Sequence, residues 1–147
     1  MMMIEFFMPM IPPTVTHQEH KVAIRNNKPV LFDPPELKAA RQKLMDHVGR
    51  YAPPDPLSGP LRLMTKWIWP VPEPTAKEAR ELVGDDWAIY KQTKPDTDNI
   101  IKLLKDCMTR CRFWHDDAQV ASEITEKFLG LHPGIYVRIE AIDPWQQ

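Results

Sequence analysis

The spacing of hydrophobic positions along this chain changes several times, and each change marks an element. Residues 2 to 8, MMIEFFM, are apolar enough for a buried strand, which Pro9 ends. KVAIR and PVLF flank NNK like the two arms of a hairpin. A helix follows: Asp33 suits its N-cap and Pro34 its first turn, and Leu37, Ala40, Leu44 and Val48 fall on one face through to Arg50. LRLMTKWIWPV sets Leu61, Leu63, Thr65, Trp67 and Trp69 against Arg62, Met64, Lys66 and Ile68, which predicts a strand buried on both faces. Thr75 is placed to cap a short helix from Ala76 to Leu82.

The clearest helical stripe comes later. Between Asn99 and about Arg110, the positions Ile100, Ile101, Leu103, Leu104, Cys107 and Met108 share a broad face, with Asp98 placed as N-cap. CRFWHDD then reads as a turn carrying an aromatic pair, and AQVASEITEKFLG and GIYVRIEAI as two strands joined at GLHPG. These elements predict one α+β domain over residues 1–147, a mixed sheet of roughly five or six strands with two main helices packed against it.

Composition narrows the class. With 147 residues, 43% hydrophobic and 27% charged, the chain can build one core of ordinary size. Its 16 prolines are scattered, several in pairs at 12–13, 34–35 and 53–54, and so punctuate short elements rather than form a linker. Cys107 and Cys111 stand four apart in a helical pattern, which makes neither a four-ligand zinc site nor a disulfide framework; packed, reduced thiols are expected, with a subunit contact as one place for them. The N-terminal MMMIEFFMPMIPP lacks a basic lead and carries Glu5 within its apolar run, unlike a signal peptide, and no apolar run reaches membrane-spanning length. The expectation is a cytoplasmic protein with no membrane partner.

A net charge of -1 gives no global pull toward nucleic acid. That sum has a weakness: carboxylates gathered at a metal site cancel basic residues elsewhere in the count without cancelling their local field. The local text therefore matters more. In KPDTDNIIKLLKD, Pro95 biases Lys94 toward an extended conformation, and if Asp96 and Asp98 stay extended, their period of two sends both carboxylates to one side. Lys102 lies one helical turn beyond Asp98. Asp116 and Asp117 arrive after the turn, at the start of the next strand. Hard oxygen ligands without a thiolate or histidine cluster suit Mg²⁺, or Mn²⁺ in its place. Against this stands a plainer account, in which the aspartates cap a helix and Lys102 is an exposed helix lysine paired with Asp98. His17, His20 and His115 lack a second cluster at metal spacing and are expected in surface polar roles.

KPDTDNIIKLLKDCMT, then FWHDDAQV, then a strand containing Lys127, then PGIYVRIE, together resemble the RusA-type Holliday-junction resolvases, small dimeric magnesium-dependent endonucleases common in phages and prophages. The K-P-D-x-D-N-x-x-K motif stands intact as Lys94 to Lys102, and W-x-D-D-x-Q as Trp114 to Gln119. The resemblance is strong in the C-terminal third and a matter of layout in the rest. It implies Asp96, Asp98 and Asp117 as catalytic metal-binding carboxylates and Lys102 as the catalytic lysine, with Asn99 and Asp116 as neighbours. It also implies a homodimer acting on four-way DNA junctions by paired, symmetric phosphodiester hydrolysis, in the host-cell cytoplasm if the gene is a phage's. Where the family often carries a run rich in arginine and lysine, this chain has TVTHQEHKVAIRNNK, so the expected DNA contacts reduce to Lys21, Arg25 and Lys28, with Lys94 beside the motif.

Two other functions fit the same residues: a less selective branched-DNA or flap nuclease, and a junction-binding protein that no longer cuts. The intact acidic set and Lys102 argue against the second. Phe113 and Trp114 suit either base stacking at a branch point or the core, and the core is the expectation, as it is for Trp67, Trp69, Trp87 and Trp145.

Overall fold

The computed structural model of the chain describes residues 2–15, 21–72, 75–84 and 87–145. In order, the elements are β1 (Met3–Pro9), β2 (Lys21–Arg25), β3 (Lys28–Phe32), α1 (Pro35–Val48), β4 (Leu61–Pro70), α2 (Thr75–Val83), β5 (Ala88–Tyr90), α3 (Thr97–Arg110), β6 (Val120–Gly130) and β7 (Gly134–Ala141). Five strands form a mixed sheet in the order β1-β7-β4-β6-β5, while β2 and β3 make a separate two-stranded sheet. Within the sheet β4 and β6 are parallel and the other neighbours antiparallel. A parallel pair needs a long crossover, and here the crossover carries α2, β5 and α3. The α+β class and the mixed sheet agree with the sequence pattern. No helix among the described residues is long and apolar enough to cross a membrane.

Strand register shows how the sequence fills the core. Leu63, Thr65, Trp67 and Trp69 of β4 stand beside Glu123, Thr125, Lys127 and Leu129 of β6, and Leu63, Thr65 and Trp67 beside Ile139, Val137 and Ile135 of β7. Directly opposed residues share a face, so these positions make one layer, which α1 and α3 cover. Leu37, Leu44 and Val48 of α1 join Ile100, Leu103, Leu104, Cys107 and Met108 of α3 in the same buried cluster. Thr65, the buried polar residue of that layer, accepts the Trp67 indole N–H at 2.8 Å.

The other face of β4 is open. Arg62, Met64 and Ile68 are half-buried and Lys66 is exposed, so β4 is buried on one side and not on both. The sequence pattern misleads here because Met64 and Ile68 look like core residues yet face away from both covering helices. β1 shows the same alternation, with Phe6 and Met8 buried and Phe7 exposed, as befits an edge strand with one covered face. Its fit against β7 depends on Gly134, where an added Cβ would lie 2.2 Å from the Phe7 ring and 2.6 Å from the Met8 carbonyl.

Four predicted details change. Asp33 is not the cap of α1; the cap position is Pro34, and Asp33 instead pairs with Arg41 at 2.8 Å. The hairpin turn is the dipeptide Asn26-Asn27, both at positive φ (51° and 60°), which leaves Lys28 to open β3; asparagine tolerates this conformation better than most residues, and it matches the strand twist. Trp145 is exposed rather than in the core, whereas Trp67, Trp69, Phe113 and Trp114 are buried. Cys107 is wholly buried behind α1, its thiol donating to the Arg41 carbonyl at 3.8 Å, which removes it from any subunit contact. His17 and His20 lie outside the described residues.

Candidate active site

The motif aspartates sit at the start of α3, with the cap two residues earlier than the sequence pattern implies. Pro95 is buried and holds the approaching chain; Asp96, still extended (φ -73°, ψ 150°), takes the N-cap position, and Thr97 is the first helical residue. Asp98 is therefore not the cap but lies within the first turn, where a carboxylate is favoured by the helix dipole. The Asp96 side chain makes no capping hydrogen bond. Asp96, Asp98 and Lys102 are all exposed, with Lys102 one turn above Asp98. Neither Asp98 nor Lys102 forms an ion pair with another described residue, so pairing between them does not account for their presence.

Two lysines fix the segment that leads into Asp96. Lys127 of β6 donates from Nζ to the carbonyls of Thr93 and Pro95, each at 2.7 Å. Lys91 donates to the Thr93 hydroxyl at 2.6 Å and lies 5.7 Å from the centre of the Trp69 ring. Burial pulls the Lys91 ammonium below its ordinary pKa, and the charge of Lys127 adds to the effect. On the far side of Lys91 its backbone N–H extends the β5–β6 ladder to the Lys127 carbonyl at 2.9 Å. Further along β6, Glu123 pairs with Lys105 of α3 at 2.9 Å.

The second motif builds its own turn. Asp116 caps a 3₁₀ turn over Asp117–Gln119, its carboxylate accepting the Ala118 N–H at 2.9 Å. Gln119 closes it: its side-chain oxygen accepts the N–H groups of His115 (2.8 Å) and Asp116 (3.1 Å), and its amide donates to the Leu57 and Gly59 carbonyls at 3.0 Å each. Trp114 is buried below, its indole donating to Thr109 at 2.8 Å. Asp116 and Gln119 are thus committed to backbone geometry, and Asp117 is left half-buried with its carboxylate outside that network.

Among the described residues no three His, Cys, Asp or Glu side chains come together as a ready cluster for a metal ion. Asp96, Asp98 and Asp117 are consequently not assembled into a closed cage in this chain. The donor chemistry at the start of α3 still suits a hard cation, since Mg²⁺ commonly takes one or two protein carboxylates and completes its shell with water and phosphate oxygens. Of the DNA contacts expected from sequence, Arg25 and Lys28 oppose each other at the exposed tip of the β2–β3 hairpin, Lys21 begins β2, and Lys94 is exposed just ahead of Pro95. The hairpin set and the acidic set belong to different elements.

Residues 10–140 match the profile of the family described as Endodeoxyribonuclease RusA. The chain belongs to the RusA endodeoxyribonuclease family. It is an endonuclease on that ground. It is 26% identical over 121 residues to the uncharacterized protein YqaN of Bacillus subtilis (strain 168), a match covering 82% of this chain and 84% of the relative. A shorter match, 44% identical over 34 residues, links it to the crossover junction endodeoxyribonuclease RusA of Lactococcus phage r1t and covers 23% of this chain and 26% of that one. Within the RusA framework the sequence pattern located both motifs but not the residues that hold them. Gln119 was visible as a motif letter without a role, and Lys127 as a landmark of the family resemblance, likewise without one.

Proposed function

We propose that this RusA-family endonuclease is a magnesium-dependent, structure-selective enzyme that resolves four-way DNA junctions, acting as a homodimer that hydrolyses symmetry-related strands. The observation that carries the reading is the set of exposed groups at the start of α3, without an ion-pair partner among the described residues: Asp96 and Asp98 beside the helix N-terminus and Lys102 one turn on. The printed name of the phage relative, a crossover junction endodeoxyribonuclease, supports the junction as substrate.

In the proposed reaction water attacks phosphorus, the bond to the 3′-oxygen breaks, and the proton lost by water balances the one gained by the leaving oxygen. A divalent ion, when bound, supplies charge neutralisation and a water of lowered pKa. Asp96 and Asp98, with Asp117, would hold that ion, and Mn²⁺ would be accepted in place of Mg²⁺. The Lys102 ammonium places positive charge at a phosphate oxygen, where charge builds up in the transition state. Selectivity for a junction has to come from shape, because a four-way junction offers few unique base edges. Phe113 and Trp114 take no part in stacking, since both rings are buried. Lys21, Arg25, Lys28 and Lys94 would contact backbone phosphates.

Cleavage of a mobile four-way junction and of a linear duplex of the same sequence, each with and without Mg²⁺, tests the reading. The expected result is cutting of the junction alone and only with metal. Equal cutting of both substrates would replace junction selectivity with a general endonuclease activity on duplex DNA, and metal-independent cutting would remove the ion from the mechanism.

A further inference from the structure

We propose that Lys127 is a positioning residue for cleavage: by holding the carbonyls of Thr93 and Pro95 it sets where Asp96 presents its carboxylate. The inference rests on the reading of Asp96 as part of the reacting site. Lys127 stands on the helix-covered face of β6, directly beside Trp67, at a position where its neighbours along the strand are Thr125 and Leu129. A charged residue at such a place needs its head group satisfied. Its ammonium reaches two carbonyls 34 and 32 residues earlier in the chain, both at 2.7 Å, and the second belongs to the residue immediately before Asp96.

The segment has little else to fix it. Among the described residues, Asp96 has no side-chain capping bond, and the loop from Gln92 to Lys94 is exposed. The remaining restraints are the buried ring of Pro95, the Lys91 bond to the Thr93 hydroxyl, and the Asp96 carbonyl, which accepts the Ile100 N–H at 3.2 Å. Lys127 is thus the tie between the sheet and the backbone at the helix start. Arginine could keep donors at that place, whereas methionine would keep the stem and lose both bonds.

The test compares Lys127→Met and Lys127→Arg with Asp96→Asn on the full chain. Single-turnover cutting of a four-way junction, junction affinity without metal, and amide hydrogen exchange across residues 96–101 are measured together. Lys127→Met is expected to slow cutting by about 10- to 100-fold, as a misplaced catalytic group does, with junction affinity within about twofold of wild type. That limit follows because a group facing backbone carbonyls contributes little of the phosphate term in DNA binding. Exchange at Ile100, whose N–H bonds to the Asp96 carbonyl, should quicken, and Lys127→Arg should restore most of the rate. Wild-type cutting by Lys127→Met, or an equal loss of binding and cutting, overturns the positioning role; if Asp96→Asn is inactive in the same series, the active-site reading survives. Active Asp96→Asn overturns both. Should Lys127→Met fail to fold, Lys127→Gln, with donors on a shorter stem, decides the matter by the same rate comparison.

Discussion

The Asp116 backbone N–H and the Gln119 side-chain oxygen meet at 3.1 Å, and the Asp116 carboxylate answers by accepting the Ala118 N–H at 2.9 Å. This reciprocal cap turns the chain from α3 into β6 and, through the Gln119 amide, ties that turn to the Leu57 and Gly59 carbonyls. The aspartate that looks like a spare ligand is therefore a structural one. Its neighbour Asp117 keeps its carboxylate outside that cap.

Gln119→Ala removes four hydrogen bonds and leaves the Leu57 and Gly59 carbonyls unmatched. The expected loss is about 1–3 kcal/mol, because stranded partners cost more than a bond gains. Asp116→Ala loses only the cap, about 0.5–2 kcal/mol. Urea unfolding of both variants checks the order; an Asp116→Ala variant less stable than Gln119→Ala would show that the cap, not the cross-link to Leu57, holds the turn.

Asp98→Asn should abolish cutting while the fold and junction binding persist. Because Asp98 sits inside the first turn of α3 and not at its cap, the substitution removes only a favourable charge at the helix N-terminus, worth about 0.3–1 kcal/mol. Binding by gel shift and cutting by strand analysis separate the two effects. Cutting at the wild-type rate would remove Asp98 from the site.

Much of the fold was legible because α3 and β4 carry strong periods: all six apolar positions named from Ile100 to Met108 are buried, as are Leu63, Trp67 and Trp69. What was not legible depends on contacts across the chain. Arg41 captures Asp33 from eight positions away, and a local cap rule has no means of foreseeing it. The cap of α3 was misplaced by two residues because Asp96 and Asp98 are equally good cap residues; burial of Pro95 decides between them. The second face of β4 stays open because both long helices lie on the other side, a matter of layers that no strand pattern encodes. Both motifs of the site were readable, yet Lys127 took its meaning only when β6 was placed beside the loop before α3.

Lys102→Ala should slow cutting far more than it weakens binding. Loss of one phosphate contact changes the salt dependence of binding by about one unit of slope, whereas a charge acting at the transition state is worth orders of magnitude in rate, about 10²–10³ for a comparable donor. Measuring affinity across a salt series alongside single-turnover rates distinguishes them. Equal losses in the two would make Lys102 an ordinary backbone contact.

Alkaline pH should expose the buried thiol. Burial, with a smaller push from Cys111, raises the Cys107 pKa from 9.0 to about 12. The folded protein therefore binds the proton more tightly than the unfolded chain does, so this contribution is fully present below the unfolded pKa of 9.0 and is lost as pH rises toward about 12. Stability should fall in that window with a slope approaching about 1.4 kcal/mol per pH unit from this group. Cys107→Ala, although less stable at neutral pH from lost packing, should show a shallower decline. The same steepness in both proteins would assign the decline to other groups, such as Tyr90 and Tyr136, whose hydroxyls bond to Glu126 and Glu5 and are also raised.

Resolution of a junction needs two incisions, and this chain carries a single pair of motif aspartates at α3 together with one Asp117. A monomer would have to release the junction and bind again between cuts. A twofold-symmetric dimer places both sites at once, matching the symmetry of the substrate. A plasmid-borne cruciform separates these cases, because supercoiling is lost at the first nick and the junction is then reabsorbed before a slow second cut. Paired action should convert the plasmid mainly to the linear form, and the enzyme should sediment with the mass of two chains. Nicked circles as the main product, together with a mass matching the 17.1 kDa of one chain, would overturn paired incision and leave a metal-dependent nuclease that cuts one strand at a time.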